Sequence, residues 1–391
     1  MKQYRQLTSE EVLILKENSC WAEDWSRVVV ADGFLPNFFH RVMFYGDIQL
    51  GTFDKQVEVS SGFTKHSGIN DATLRNVTVG DNCLIEKVGN FINNYTIGAD
   101  CYISNICTME TTEGATYGEG HLVSVLNEMG DGNVILFTEL NSQLAAFMVK
   151  HFNDRQLKET IHRMVKEDVK LTNPERGTIG NGVKIINTKE ITNTVVCDDC
   201  EISGASRLSD CTIMSSKDDS VYIGTGVICE NSIISNGCSI TNSVKMQDCF
   251  VGEACQITNG FTAEASIFFA NSFMANGEVC RLLRTILGQP PQVEPAHWRR
   301  VLVLQCRLEH QFLEPCLQDG APPLRNLGAR NKDRQWLIRA HAGYHRCFLG
   351  LFRQADAPSR YPLPAVFLPH GLRRYHVSRS RTQYHHRGTL S

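Results

Sequence analysis

No apolar run in this chain approaches the roughly 18 residues that a membrane-spanning helix needs, which excludes a helical integral membrane protein. The N-terminus lacks the basic region and small-residue cleavage site of a secretory signal, and its one short apolar run, Val12-Leu13-Ile14-Leu15, stands between acids. A cytoplasmic protein is therefore predicted, and its 15 cysteines read as reduced thiols rather than a disulfide framework. Proline is scarce in residues 1–279, which hold only 2 of the 12, and lysine is scarce in residues 280–391, which hold 1 beside 17 arginines. A disordered chain is excluded by a hydrophobic content of 42% against 21% charged residues.

What is present is a repeat. At 391 residues the chain has room for two or three ordinary domains or one long repetitive one. Apolar residues recur every sixth position at Val79, Ile85, Phe91, Ile97, Ile103 and Met109. The beat returns at Ile179, Ile185 and Ile191, then at Ile223, Ile228, Ile234, Ile240, Met246, Val251 and Ile257, with slips of one residue. Three hexads make one triangular coil, so the pattern predicts a mainly β chain, a left-handed parallel β-helix with coils stacked about 4.8 Å apart. Asn82, Asn90, Asn94 and Asn105 suit corners in the left-handed region. Cys83, Cys101, Cys107, Cys229, Cys238, Cys249 and Cys255 suit its interior as small hydrophobes. Cys197-Asp198-Asp199-Cys200 resembles half of a zinc knuckle, but no second pair answers it and no metal site is expected.

The expected organisation is an N-terminal cap region over 1–66, a first β-helix block over 67–110, a loop and helical insertion over 111–176, a second block over 177–278 and an irregular tail over 279–391. Thr8-Ser9-Glu10-Glu11 reads as a capping box that opens a helix. In the insertion, Asn141 is a helix cap and Asn153-Asp154 divides two helices. Chemistry lives on loops carried by a rigid scaffold, so the insertion is where a site is sought. A histidine paired with a carboxylate can take a proton from a hydroxyl or amine, which makes His121 and Glu128, with His66 upstream, the catalytic candidates. The plainer reading of each histidine is a solvated or capping side chain, and Glu128 serves equally as a salt-bridge partner. Gly114 to Gly120 matches neither the P-loop nor the dinucleotide fingerprint and reads as a turn-rich loop.

Leu7-Thr8-Ser9-Glu10-Glu11, Ala22-Glu23-Asp24-Trp25-Ser26, Ser67-Gly68-Ile69-Asn70, Asn93-Asn94-Tyr95-Thr96-Ile97-Gly98 and Val123-Ser124-Val125-Leu126-Asn127-Glu128 carry a resemblance. With the hexads, they resemble an uncharacterised bacterial family of long β-helix proteins within the hexapeptide acyltransferase superfamily, whose trimers include UDP-N-acetylglucosamine acyltransferase. The resemblance covers about residues 1–278. It implies a homotrimer that transfers an acyl group, from acyl-CoA or acyl carrier protein, to a sugar, sugar nucleotide or amine with a histidine base. Asn94, Tyr95 and Asn127 are the ligand-binding candidates. The alternatives are a non-catalytic β-helix scaffold that binds a ligand, and a sugar-nucleotide enzyme related to pyrophosphorylase-associated β-helices. The latter would need a glycine-rich nucleotide loop that Met1 to Asp32 lacks. A carbonic-anhydrase-like zinc enzyme would need three convergent histidines, and His40, His66, His121, His151 and His162 show no such spacing.

Charge divides where the repeat stops. Residues 1–279 carry 21 Lys and Arg against 36 Asp and Glu, whereas residues 280–391 carry 18 against 6. A basic arm on nucleic acid is one reading. The near-absence of lysine and runs such as Val301-Leu302-Val303-Leu304 favour another, translation out of frame. Read one base later, codons for Gln289 to Arg300 admit Ser-His-His-Lys-Ser-Ser-Leu-Leu-Ile-Gly-Gly, a β-helix-like segment with a His-His-Lys cluster. Sequencing the source gene across codons 270–330 is expected to reveal an extra or missing base near codon 279. An intact frame would make the arm genuine and redirect attention to nucleic acid.

Overall fold

The computed structural model describes residues 3–125, 133–151, 153–280, 283–284 and 303–305. The chain is mainly β, and most of its strands pair in parallel with the strand one turn of chain away. Three columns of inward side chains run through the stack. One holds Phe39, Ile69, Ile85, Ile103, Ile185, Ile202, Ile223, Ile240, Ile257 and Met274. A second holds Val30, Leu50, Val79, Ile97, Ile179, Val196, Ile213, Ile234, Val251 and Phe268. The third holds Ala22, Phe44, Leu74, Ile92, Met109, Ile191, Leu208, Cys229, Met246, Ala263 and Val279. All belong to one buried cluster apart from Met274, which packs against it. Each fully enclosed aliphatic side chain contributes about 1.5–3 kcal/mol.

Between faces the chain turns through left-handed corners. Asn82, Asn94 and Asn105 hold φ of 57°, 60° and 53°, as their residue type allows. Asn90 does not turn; Lys87 does, at φ 56°, while Asn90 Nδ2 donates to Thr108 Oγ1 at 2.8 Å. That displaced corner explains a correction to the hexad count. Ile92 points inward instead of Phe91, and the pairing of Leu84–Ile97 with Tyr102–Glu110 is irregular between Val88 and Phe91. Likewise Cys229, rather than Ile228, occupies the third column between Leu208 and Met246.

The cysteines follow the same geometry. Ser67, Cys83, Cys101, Val183, Cys200, Val221, Cys238, Cys255 and Ser272 form a backbone-bonded column at the entrance of one face. Cys83, Cys101 and Cys238 Sγ each donate to a carbonyl of the following coil at 3.0 Å, those of Gly98, Gly180 and Gly252. The adjacent Cys101 thiol and burial hold the Cys83 pKa well above its ordinary value, which makes the thiol inert. Cys107 departs from expectation and is exposed.

At one end, α1 (Ser9–Glu17) starts at Thr8 with the expected capping box and inserts Leu15, 0% exposed, into the core. After Glu110 the chain leaves the stack, and it re-enters at Gly177. Between lie the hairpin of Leu122–Ser124 and Asn133–Ile135, then α2 (Ser142–Lys150) and α3 (Arg155–Thr172). Asn141 and Asp154 cap the two helices through Leu144 N and Leu157 N, at 2.9 and 3.1 Å. The apolar side of this excursion, including Val125, Leu136, Met148 and Val165, docks on Ile233, Phe250, Ile267 and Phe269, which face outward from the stack.

Re-entry depends on one buried phenol. The Tyr95 ring passes over Gly177, and its hydroxyl donates to Thr194 O at 3.0 Å and accepts from Thr194 N at 3.2 Å. A Cβ on Gly177 would clash with the Thr111 hydroxyl as well as with the Tyr95 ring. Gly177→Ala is expected to cost about 1–3 kcal/mol by overpacking, measured by urea unfolding. In a Tyr95→Val background, Val being what Val77 supplies in the adjacent coil, that cost should fall but not vanish, because Thr111 still stands against the new Cβ. Equal costs in both backgrounds would show that the ring is not the obstacle.

Candidate functional site

The loop that leaves the stack is bound to its outer surface at every step. Thr112 donates to Asn193 Oδ1 from its backbone N at 2.8 Å and its hydroxyl at 3.1 Å. Thr212 Oγ1 donates to Tyr117 O at 2.8 Å, and the Tyr117 hydroxyl donates to Pro174 O at 3.1 Å. Gly118 presses so closely on the strands Arg207–Ile213 and Ile228–Ile234 that a Cβ would come within 2.8 Å of Asp210 O and 2.9 Å of Ser232 O. Tyr117 itself is 1% exposed and held at φ 55°, a left-handed conformation that costs an aromatic residue about 1–3 kcal/mol. Strain of this kind is retained where surrounding contacts fix a particular geometry.

That geometry places His121 at the end of a polar chain. Thr116 Oγ1 lies 3.0 Å from His121 Nε2 and reaches Asp210 Oδ1 at 3.5 Å, while Asn193 Nδ2 donates to Asp210 Oδ2 at 3.4 Å. When the Thr116 hydroxyl points its proton at the carboxylate, it accepts from Nε2–H, and the neutral imidazole keeps its lone pair on Nδ1. His121 O also accepts from Leu136 N at 2.8 Å, so the backbone under the imidazole is tied to the hairpin. His121 is only half-buried.

Two residues away is Glu119, 8% exposed, which accepts a hydrogen bond from Thr138 Oγ1. Burial pushes its carboxyl pKa up; the Thr138 hydroxyl opposes this, and the negative charges of Asp168 and Glu139 reinforce it. Thr116, Glu119 and Asp210 carry no motif that sequence reading can single out. Asp210 is one more corner residue, at φ 50°, and Glu119 was visible only as an acid between two glycines.

The other candidates are placed elsewhere. His66 lies in the hairpin of Gln56–Ser60 and Phe63–His66; its ring stacks on Phe38 at 3.4 Å and its Nδ1 is 2.8 Å from Ser67 O. Asn94 occupies a corner and donates to Thr111 O at 3.3 Å. Tyr95 is 0% exposed, with its hydroxyl spent on Thr194 inside the stack. Asn127 and Glu128 lie outside the described residues. Among the described residues no group of His, Cys, Asp and Glu is arranged to hold a metal ion, and no helix is long and apolar enough to cross a membrane.

Residues 4–288 match the family described as Domain of unknown function (DUF4954). The chain belongs to that family. An uncharacterized protein of Treponema pallidum (strain Nichols) is 27% identical over 250 residues, which are 61% of this chain and 34% of that relative. The chain thus spans about a third of that relative's length. LpxA from Acinetobacter baumannii is similar at 9% identity over 65% of this chain and 70% of its own, with a TM-score of 0.22.

The buried glutamate gives a signed test. Its folded-state pKa stands above the unfolded value, so the native state holds the proton between the two, and stability declines as pH rises through that window. Glu119→Gln, which keeps an acceptor for Thr138, is expected to raise Tm near neutral pH and to lose this advantage as pH falls into the ordinary glutamate range. Equal Tm for variant and wild type across that range would show that burial imposes no penalty on the carboxylate.

Proposed function

We propose that this DUF4954 chain is a transferase of the hexapeptide-repeat type, built on a left-handed β-helix and acting as a homotrimer. The reaction moves an acyl group from acyl-CoA or acyl carrier protein to the hydroxyl or amine of a sugar or sugar nucleotide, with His121 as base. The observation that carries this reading is the Thr116–His121–Asp210 chain, which orients a half-exposed imidazole on a strained loop. Nδ1 takes the acceptor's proton as its oxygen or nitrogen attacks the thioester carbonyl. The new C–O or C–N bond forms, the C–S bond breaks, and the imidazolium returns the proton to the departing thiolate. The left-handed winding is supported by three inward columns separated by left-handed corners.

Residues from about 280 onward we take to be out-of-frame translation, a reading supported by the change of composition near residue 279.

Calorimetric titration with CoA, acyl-CoA and acyl carrier protein, followed by a thiol-release assay with sugar nucleotides, tests the transferase. His121→Ala should lower kcat by about 10²–10⁴-fold, the usual worth of a general base, while leaving acyl-CoA affinity unchanged. Failure to bind any of the three donors would remove the transferase and leave the ligand-binding scaffold.

A further inference from the structure

Within the acidic body, α3 is an exception in charge. Its 18 residues carry five Lys and Arg against three acids, one of which, Glu159, is paired with Arg155 at 2.8 Å. Lys158, His162, Lys166 and Lys170 recur every fourth residue and so form one oblique row, about 18 Å long at 1.5 Å per residue. An open groove of about 370 Å³ runs along this side, lined by His162, Arg163, Lys166 and Lys170 with Glu159 and Glu167. Among the described residues none of the three lysines or Arg163 forms an ion pair. Like charges four residues apart weaken a helix. The repulsion is felt at His162, whose pKa is lowered by burial first and by Lys158 and Lys166 next.

The complementary feature lies on the stack. At one corner, four coils in turn present Asp198 and Asp199, then Asp218 and Asp219 beside an exposed Lys217, then Asn236 and Gly237, then Glu253, joined by backbone bonds such as Gly237 N to Asp219 O and Ala254 N to Asn236 O. Asp198, Asp218, Asp219 and Glu253 are exposed, and among the described residues none of them has an ion-pair partner. The corner crosses three coil spacings, about 14 Å at 4.8 Å per coil. A rigid acidic ridge and a basic row of similar length therefore stand unneutralised on the same chain.

We propose that copies of the chain assemble head to tail, the basic row of α3 on one copy seated along the acidic corner of the next. This rests on the self-association proposed above and names its surfaces. Two different surfaces make the contact heterologous, so it closes into a ring where the rotation permits. Exposed charges of this kind steer association and are screened by salt.

Sedimentation velocity of the full chain should show an assembly at about 50 mM salt that dissociates at about 500 mM, where the screening length falls several-fold below the first. Lys158→Glu with Lys166→Glu and Lys170→Glu should sediment as a single chain at low salt. So should Asp198→Lys with Asp219→Lys and Glu253→Lys, each variant checked for an unchanged circular dichroism melt. Mixing the two variants should restore association as unlike pairs, since each reversed surface then meets its opposite, whereas a closed ring of three would force one junction between like surfaces. A wild type that is a single chain at low salt would overturn both the interface and the self-association. An assembly that survives in both variants, or a mixture that stays dissociated, would overturn this interface alone.

Discussion

Everything in this protein rests on side chains that stack on their own counterparts. An inward isoleucine meets another isoleucine one coil above and one below, and the backbone bonds fix that meeting in register. A coil cannot bury its apolar residues without its neighbours, so stability is shared between adjacent coils and almost nothing connects distant ones directly. The corners serve the same end: a left-handed Asn or Asp turns the chain within one residue and keeps the next face flat. The stack is thus a rigid ruler, and its outer surface a lattice of fixed spacing on which other groups can be positioned.

The excursion between Glu110 and Gly177 uses that lattice. Its loop is fastened to Asn193, Asp210 and Thr212, which belong to coils laid down after it in the chain. Its apolar side rests on Phe250 and Phe269 further along. The imidazole of His121 therefore takes its position from residues about 90 places later in sequence, as the separation of 94 between Thr116 and Asp210 shows. Precision at the loop comes from the scaffold rather than from its own glycine-rich sequence.

This division explains what was legible beforehand. The columns were readable because they repeat: Val79, Ile85, Ile97 and Ile103 are inward, and the beat failed where a shifted corner moved the face by one residue, as at Phe91. The caps at Thr8 and Asn141 were readable because they act on residues three places away, and Asp154, read only as a break between helices, proves to be a cap of the same kind. His121 was a candidate by residue type, but its partners Thr116 and Asp210 were not, because no local pattern marks a contact made across many coils. Tyr95 shows the converse. Its place in the family-like segment invited a ligand-binding role, whereas its hydroxyl serves a backbone inside the stack.

The excursion also separates in sequence what is adjacent in space. Ala99 N bonds Asn181 Oδ1 across 82 residues, where ordinary neighbouring coils such as those of Asn181 and Asp198 are 17 apart. Closing the longer loop costs about 1.4 kcal/mol more in chain entropy, and it must be closed before the first coils can serve as a template for those that follow. Folding is thus divided at this seam. The coils before Glu110 and those after Gly177 can each grow by short-range steps, whereas joining them and docking the excursion on the later coils are long-range events. A chain emerging from the ribosome would complete its first segment, hold an open sheet edge through the synthesis of about 66 further residues, and only then receive the coil that covers it.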